Sequence, residues 1–175
     1  MNGETTNRTL VLLRHAKSDW PENVADHERP LADRGRRDAP AVGWWLRQAG
    51  YRPDHVVCST ALRTRQTWEL VRDELDVDPA ATEFEPRVYG ATVQELLDVI
   101  GSAPAGAGTL LVIGHNPGLE YLALTLAGDA PSDERDRMNR KFPTAAVAVF
   151  EWSGGWDHVA GGSARLVRFV TPHDL

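Results

Sequence analysis

The chain has 175 residues, enough for one domain with a substantial hydrophobic core. Hydrophobic residues make up 42% of the sequence, which is typical of a globular protein rather than a disordered one. The formal net charge of −6 argues against a protein that binds nucleic acid through its overall charge, and leaves room only for a small local basic site.

The single cysteine, Cys58, excludes an internal disulfide and is compatible with a reducing compartment. The N-terminal residues are polar and lack the apolar stretch of a signal peptide, and no apolar run is long enough to cross a bilayer. These features predict one domain over residues 1–175, with a flexible N-terminus at residues 1–8. They also predict a cytoplasmic protein with neither a membrane nor a nucleic acid as partner.

Strand and helix patterns alternate along the chain. Predicted strands cover Leu10–Leu13, His55–Cys58, Thr82–Phe84, Thr109–Ile113, Ala145–Trp152 and Ala164–Val170. Predicted helices cover Asp33–Ala49, a segment that ends at about Leu75, Val93–Ile100, and a segment from Pro117 to near Gly128. This alternation predicts the α/β class: a three-layer α/β/α sandwich with a mostly parallel central sheet and a late antiparallel edge.

Several segments between these elements have their own signals. Ser18–Leu31 is predicted to be a long loop. Pro40 lies inside the predicted helix Asp33–Ala49 and indicates that this helix starts later than Asp33. The charged Pro131–Lys141 is predicted to be a solvated loop. The two late strands, with glycine pairs at 154–155 and 161–162, are predicted to form a hairpin.

The first segment that can carry chemistry is Arg14-His15, directly after the first strand. A histidine there can attack phosphorus if its outer ring nitrogen is unprotonated, and an adjacent arginine can hold phosphate oxygens. An Arg-His dipeptide alone is more often structural, so this pair needs support from elsewhere in the chain. Trp20, a few residues later, either lines the mouth of such a site or is simply exposed.

The second segment, CSTALRTRQT, leads from a strand into a helix. Ser59 and Thr60 suit a helix start, where backbone N–H groups can hold an anion. Arg63 lies near the first turn and can point back at the same anion. Arg65 lies about 200° around the helix from it, so the two arginines cannot face one site.

The third segment is GHNPG, after the aliphatic strand Thr109–Ile113. His115 can stabilise charge on a transferring phosphoryl group, and Asn116 offers a further donor. Because the carboxyl ends of parallel strands meet at one edge of a sheet, His15 and His115 are expected to lie close together. The six histidines show neither HxH nor HExxH spacing, which disfavours a metal site.

Together these three segments resemble the histidine phosphatase superfamily, also called phosphoglycerate-mutase-like. The similarity extends from Leu10 to Val149 in the expected order. The strings RHAKSDW, RPLADRG, GHNPGL and FPTAA are similar to the SixA-type phosphohistidine phosphatases within that superfamily.

The resemblance implies that His15 is the nucleophile, which becomes transiently phosphorylated. It implies further catalytic residues at Arg14, Arg63 and His115, and substrate-binding residues at Arg29 and Asn116. It implies no metal and no organic cofactor. Two or three arginines and a histidine would offset a dianionic phosphate while the neutral imidazole attacks in line.

The general acid is the departure from the family pattern. Larger members supply a glutamate from an insert after the third strand, and FEPRVYGATVQELL is too short for such an insert. Glu85, Asp26 and Glu83 are left as candidates. A phosphate ester leaves as an alkoxide and needs a strong proton donor, whereas the imidazole of phosphohistidine leaves more easily.

The sequence therefore predicts a metal-independent phosphatase that acts on a protein carrying phosphohistidine. One alternative is a phosphomonoesterase for a small phosphorylated metabolite, with Pro131–Lys141 as a lid. Another is a catalytically weak module that binds phosphorylated partners.

Overall fold

The computed structural model describes residues 7–128, 131–159 and 164–175. Within them, one six-stranded sheet has the order β3-β2-β4-β1-β5-β6. The strands are β1 (Asn7–Arg14), β2 (His55–Cys58), β3 (Thr82–Phe84), β4 (Thr109–Gly114), β5 (Val147–Ser153) and β6 (Arg165–Val170). The first four pair in parallel, and β5 and β6 add antiparallel strands beyond β1. The predicted mostly parallel sheet with a late antiparallel edge is confirmed.

Helices cover both faces of this sheet, as predicted for a three-layer sandwich. They are α1 (Asp33–Ala49), α2 (Leu62–Leu75), α3 (Val93–Gly101), α4 (Gly118–Ala127) and α5 (Asp133–Arg140). Alternate residues of β1 point to opposite faces, so Val11 and Leu13 pack with α1 and α2. Leu10 and Leu12 pack with α3, α4 and α5. No helix among the described residues is long and apolar enough to cross a membrane.

The predicted helix Asp33–Ala49 is confirmed, whereas a later start because of Pro40 and a solvated loop at Pro131–Lys141 are wrong. Helix α1 starts at Asp33 and continues through Pro40, since Ala39 and Val42 on either side of the proline are buried in the core. The predicted solvated loop Pro131–Lys141 contains α5, which is capped by the Ser132 hydroxyl and buries Met138 completely. One apolar residue in eight leaves no helical periodicity in the sequence, which is why the pattern failed there.

The predicted flexible N-terminus extends too far. Asn7 and Arg8 belong to β1, where the buried Arg8 donates to the carbonyl oxygens of Gly154 and Ala107. Residues 1–6 lie outside the described residues, as does the glycine pair at 161–162. The late strands form the predicted antiparallel pair, at Val147–Ser153 and Arg165–Val170.

Candidate active site

The carboxyl ends of three parallel strands meet at one edge of the sheet and carry the central residues of the site. His15 follows β1, Ser59 follows β2 and His115 follows β4. The ring centroids of the two histidines lie 5.3 Å apart. The prediction that the sheet brings His15 and His115 together is confirmed.

The backbone and the ring of His15 are both held in place. The His15 N–H donates to the Gly114 carbonyl at 3.1 Å, and the Ala145 N–H donates to the His15 carbonyl at 3.0 Å. Ring atom Nδ1 lies 2.7 Å from the Ala16 carbonyl oxygen. Because a carbonyl can only accept, Nδ1 carries the proton and the lone pair is on Nε2.

His15 is also kept neutral. Its side chain is only 6% exposed, and this burial lowers the pKa of His15 to about 3. The hydrogen bond to Ala16 opposes the shift, whereas the charges of Arg63 and Arg14 add to it. At neutral pH the imidazole therefore has an unprotonated Nε2, the form that a nucleophile needs.

Two of the predicted arginines reach the site from the ends of secondary-structure elements. Arg14, the last residue of β1, donates from Nη1 to the Phe142 carbonyl at 3.1 Å, and burial lowers its pKa. Its Nε is buried without a protein partner among the described residues. Arg63 is buried in the first turn of α2, whereas Arg65 is exposed against Phe84, as the 200° separation predicts.

Arg29 comes to the same pocket from the segment between β1 and α1. Its Nε donates to the Asp19 carbonyl at 2.9 Å, and its Nη2 donates to the Ser18 hydroxyl at 2.6 Å. The guanidinium carbon lies 3.2 Å from the centroid of the Trp20 ring. Trp20 is exposed over most of its surface and lines the mouth of the pocket. Of the two alternatives that the sequence left open for Trp20, this is the one in which it contributes to the site.

His115 is positioned by a residue for which the sequence suggested a different role. The Ser59 hydroxyl lies 2.7 Å from His115 Nε2, and helix α2 starts later, at Leu62 after Ala61. Ser59 therefore does not cap the helix. Burial, followed by the charge of Arg63, lowers the pKa of His115 to about 4.

Asn116 lines the pocket beside His115. Its Nδ2 donates to the Phe142 carbonyl at 2.9 Å, which ties the residue to the loop before β5. The pocket has a volume of about 220 Å³. Its lining residues are Arg14, His15, Lys17, Ser18, Trp20, Arg29, Arg63, His115, Asn116 and Thr144.

Asp26 bridges the two arginines nearest the mouth. It accepts from Arg29 at 3.1 Å, from Arg63 at 3.0 Å and from the Tyr89 hydroxyl at 2.6 Å. The Tyr89 hydrogen bond, followed by those of the two arginines, holds the pKa of Asp26 well below its usual range. The carboxylate is therefore ionised in this arrangement and has no proton to give. Nothing in the sequence linked Tyr89 to this cluster.

The two glutamate candidates lie elsewhere. Glu85 accepts from the backbone N–H and the guanidinium of Arg87, each at 3.0 Å, and the guanidinium lowers its pKa. Glu83, in β3, is exposed and pairs with His55 at 3.4 Å. Neither residue lines the pocket. Glu83 as the general acid therefore stays a prediction, which the lining of the pocket does not support.

Residues 7–128, 131–159 and 164–175 contain no evident set of metal ligands. No group of three or more histidine, cysteine or carboxylate side chains there could hold an ion. What the pocket does offer is a cationic surface of guanidinium groups around a neutral imidazole, a combination suited to a phosphoryl group.

Comparisons with known proteins agree with this geometry. Residues 10–88 match the model of the histidine phosphatase superfamily, branch 1. The uncharacterized protein Rv1276c of Mycobacterium tuberculosis is 41% identical over 162 residues, which cover 91% of this chain and 99% of that protein.

Two solved structures are similar over almost their whole length. A protein from Nakamurella multipartitia, provisionally assigned as a phosphohistidine phosphatase SixA, is 36% identical with a TM-score of 0.84, over 95% of this chain and 96% of that one. One from Agrobacterium tumefaciens with the same provisional assignment is 26% identical with a TM-score of 0.78, over 94% and 98%.

The chain therefore belongs to the histidine phosphatase superfamily, in its SixA-type branch. The fold class, the family and the enzyme class predicted from the sequence are all confirmed.

Proposed function

We propose that this enzyme is a metal-independent phosphatase that dephosphorylates phosphohistidine on a protein through a covalent intermediate on His15. The observation that carries the proposal is the state of His15. Its Nδ1–H is committed to the Ala16 carbonyl and burial keeps the ring neutral, so that Nε2 is available in a pocket lined by arginines.

The first step transfers the phosphoryl group. The lone pair on His15 Nε2 forms a bond to phosphorus while the bond from phosphorus to the substrate imidazole breaks. The substrate ring reacts in the form that is protonated on its other nitrogen, so it takes the electron pair as a lone pair and leaves as neutral imidazole. Arg14, Arg29 and Arg63 would offset the charge on the equatorial oxygens. Phosphorylated His15 is an imidazolium, whose Nδ1–H donates to Ala16 more strongly than the neutral ring does.

The second step is hydrolysis of the phosphohistidine. Water attacks phosphorus on the side opposite His15, the bond to Nε2 breaks, and inorganic phosphate leaves with the neutral imidazole restored. His15 gains and loses no proton in this cycle, because Nδ1 keeps its proton throughout. His115, whose ring centroid lies 5.3 Å from that of His15, would contact the transferring group beside it.

The choice of phosphohistidine as substrate is supported by the candidate acids. Asp26 is ionised by three donors, Glu85 is held by Arg87, and Glu83 pairs with His55 and does not line the pocket. An alkoxide leaving group would need a proton from one of them, whereas imidazole leaves without such help.

The proposed lid over a small substrate lacks support. Helix α5 packs on α4 and β6, with Met138 in the core, and no residue of 131–141 lines the catalytic pocket. An uncovered pocket admits a histidine that is presented on a protein surface. The cytoplasmic location predicted from the sequence stays a prediction.

The test compares two substrates in EDTA: a carrier domain phosphorylated on histidine, and an aryl phosphate. We expect fast release from the carrier and slow release from the ester, both lost in His15→Gln and kept in His158→Gln, which changes an exposed histidine. Faster ester cleavage would favour a metabolite phosphatase. No release from either substrate would favour a binding module, and a requirement for added metal would contradict the EDTA-resistant mechanism.

A further inference from the structure

A second depression lies beside the catalytic pocket and has no part in the mechanism above. A neighbouring cavity of about 220 Å³ shares three lining residues with the pocket: Arg14, Lys17 and Thr144. It shares three others with a larger cavity of about 610 Å³: Arg34, Lys141 and Pro143. The smaller cavity shares wall residues with the catalytic pocket on one side and with the larger cavity on the other. The smaller and the larger cavity therefore form one continuous surface that leads away from His15. We call these two cavities the basic groove.

The basic groove is cationic in a protein whose net charge is −6. Both lysines of the chain, Lys17 and Lys141, lie in it, and so does the exposed Arg37. These three side chains make no hydrogen bond or ion pair with any described residue. Among the described residues that line the groove, the one carboxylate is Asp38, which lies 3.5 Å from Arg34. An excess of exposed, unpaired positive charge next to an active site favours an anionic ligand.

The end of the basic groove that is farther from His15 also has an apolar wall. The partly exposed Pro143 and Pro172 line the larger cavity, with the buried Phe169 behind them. A compact phosphate ester bound at His15 would not reach this wall. A peptide with carboxylates and an apolar side chain would complement both the charge and the apolar wall.

We propose that the basic groove docks an acidic segment of the substrate protein, while the phosphorylated residue of that substrate reaches His15. Carboxylates of that segment lie against Arg37 and Lys141, and an apolar side chain packs on Pro143 and Pro172. The inference rests on the proposed function in one respect, because it takes the substrate to be a protein. It adds the chemical character of the partner, which the catalytic pocket alone does not specify.

The experiment uses two synthetic peptides that each carry one phosphohistidine. One has several Asp and Glu residues next to the phosphohistidine and a Leu several residues farther along, and the other has Asn and Gln in place of the acids. The variants are Arg37→Glu and Lys141→Glu, with Arg47→Glu as the matched control. Arg47 is an exposed arginine on the same helix as Arg37, about 15 Å farther along it.

We expect the unaltered enzyme to show a kcat/KM for the acidic peptide about fivefold higher than for the neutral one at low salt. Arg37→Glu and Lys141→Glu should abolish that preference, and Arg47→Glu should retain it. Activity on an aryl phosphate should be equal in all four proteins, which shows an intact pocket. Equal cleavage of the two peptides by the unaltered enzyme, or equal losses in Arg37→Glu and Arg47→Glu, would overturn the docking proposal.

A binding measurement separates this proposal from the proposed function. Fluorescence anisotropy would follow the acidic peptide without its phosphate, which needs no catalysis. If neither phosphopeptide is cleaved, the proposed function fails, and the anisotropy decides the docking: salt-sensitive binding lost in Arg37→Glu supports it, and no binding overturns it. Hydrolysis of a sugar bisphosphate is measured in parallel. If Arg37→Glu impairs only that hydrolysis and leaves cleavage of both peptides unchanged, the docking proposal is overturned in favour of a small ligand.

Discussion

The two sides of the catalytic pocket are built differently. The strand-end side comprises His15, Ser59 and His115, which follow three neighbouring strands and are mostly or fully buried. The loop side comprises Asp26 and Tyr89, which come from irregular segments and remain partly exposed. On the first side burial keeps two histidines neutral, and on the second an acid is held ionised.

This contrast shows which half of the reaction the fold prepares. A neutral histidine with a fixed tautomer is ready to attack, and the low pKa values come from burial that the sheet edge provides. Asp26 on the loop side is held ionised, so in the proposed mechanism the leaving group departs without a proton from it. Changes on the strand-end side should therefore be far more damaging than changes to the loop side.

The largest effect is expected where an arginine of the pocket is removed. Arg63→Ala should lower kcat/KM by about 10²–10³-fold, because a fixed donor to the transferring phosphoryl group is lost. Arg65→Ala, two residues along the same helix and exposed, should change it by less than about twofold. Steady-state kinetics on the phosphohistidine carrier would check both. Similar losses in the two variants would mean that the pocket does not use Arg63 directly.

The next effect is on stability and follows from the lowered pKa of His15. Its pKa falls from 6.5 to about 3 on folding, so below pH 6.5 the unfolded chain takes up a proton that the folded protein excludes. Stability from this source is therefore complete above pH 6.5 and falls as the pH drops towards 3.

Between pH 7 and pH 5 this loss amounts to about 2 kcal/mol. Urea unfolding at both pH values should show a decline in the free energy of unfolding that is larger by this amount in the unaltered protein than in His15→Gln. Parallel declines would contradict a buried neutral His15.

A smaller effect is expected at the positioning residue Ser59. Ser59→Ala removes the hydroxyl that lies 2.7 Å from His115 and should lower kcat by about tenfold, with KM little changed, because the ring loses its fixed orientation. Thr60→Ala is the matched control, since the Thr60 hydroxyl bonds His27 instead. Restoration of kcat by Ser59→Thr would establish that the hydroxyl itself is required.

The smallest effect is expected at the acid of the loop side. Asp26→Asn should lower kcat/KM on phosphohistidine by less than about fivefold, since it weakens a partly exposed cluster and removes no proton donor. Glu85→Gln should behave in the same way. If Asp26 were the general acid, its loss would cost about 10²–10⁴-fold, most visibly on an aryl phosphate. That result would mean that the loop side does supply a proton, and the contrast between the two sides of the pocket would be wrong.

Residues next to regular elements were predictable from the sequence. Arg14, His15 and His115 lie at the ends of aliphatic strands, and parallel strands bring the residues at their carboxyl ends to one edge of a sheet. The roles of Ser59 and Tyr89 were not predictable. Their contacts join segments 56 and 63 residues apart in sequence, with no local pattern to announce them.

The sequence by itself determined the α/β class, the family and six of the residues that line the pocket: Arg14, His15, Arg29, Arg63, His115 and Asn116. Apolar periodicity and short motifs are local properties, and they survive without knowledge of the packing. The tertiary structure alone decided the ionisation of His15 and Asp26, the pairing of Glu83 with His55, and the basic groove that joins α1, α5 and the end of the chain. These depend on burial and on contacts between distant segments, and such terms arise only when the chain is folded.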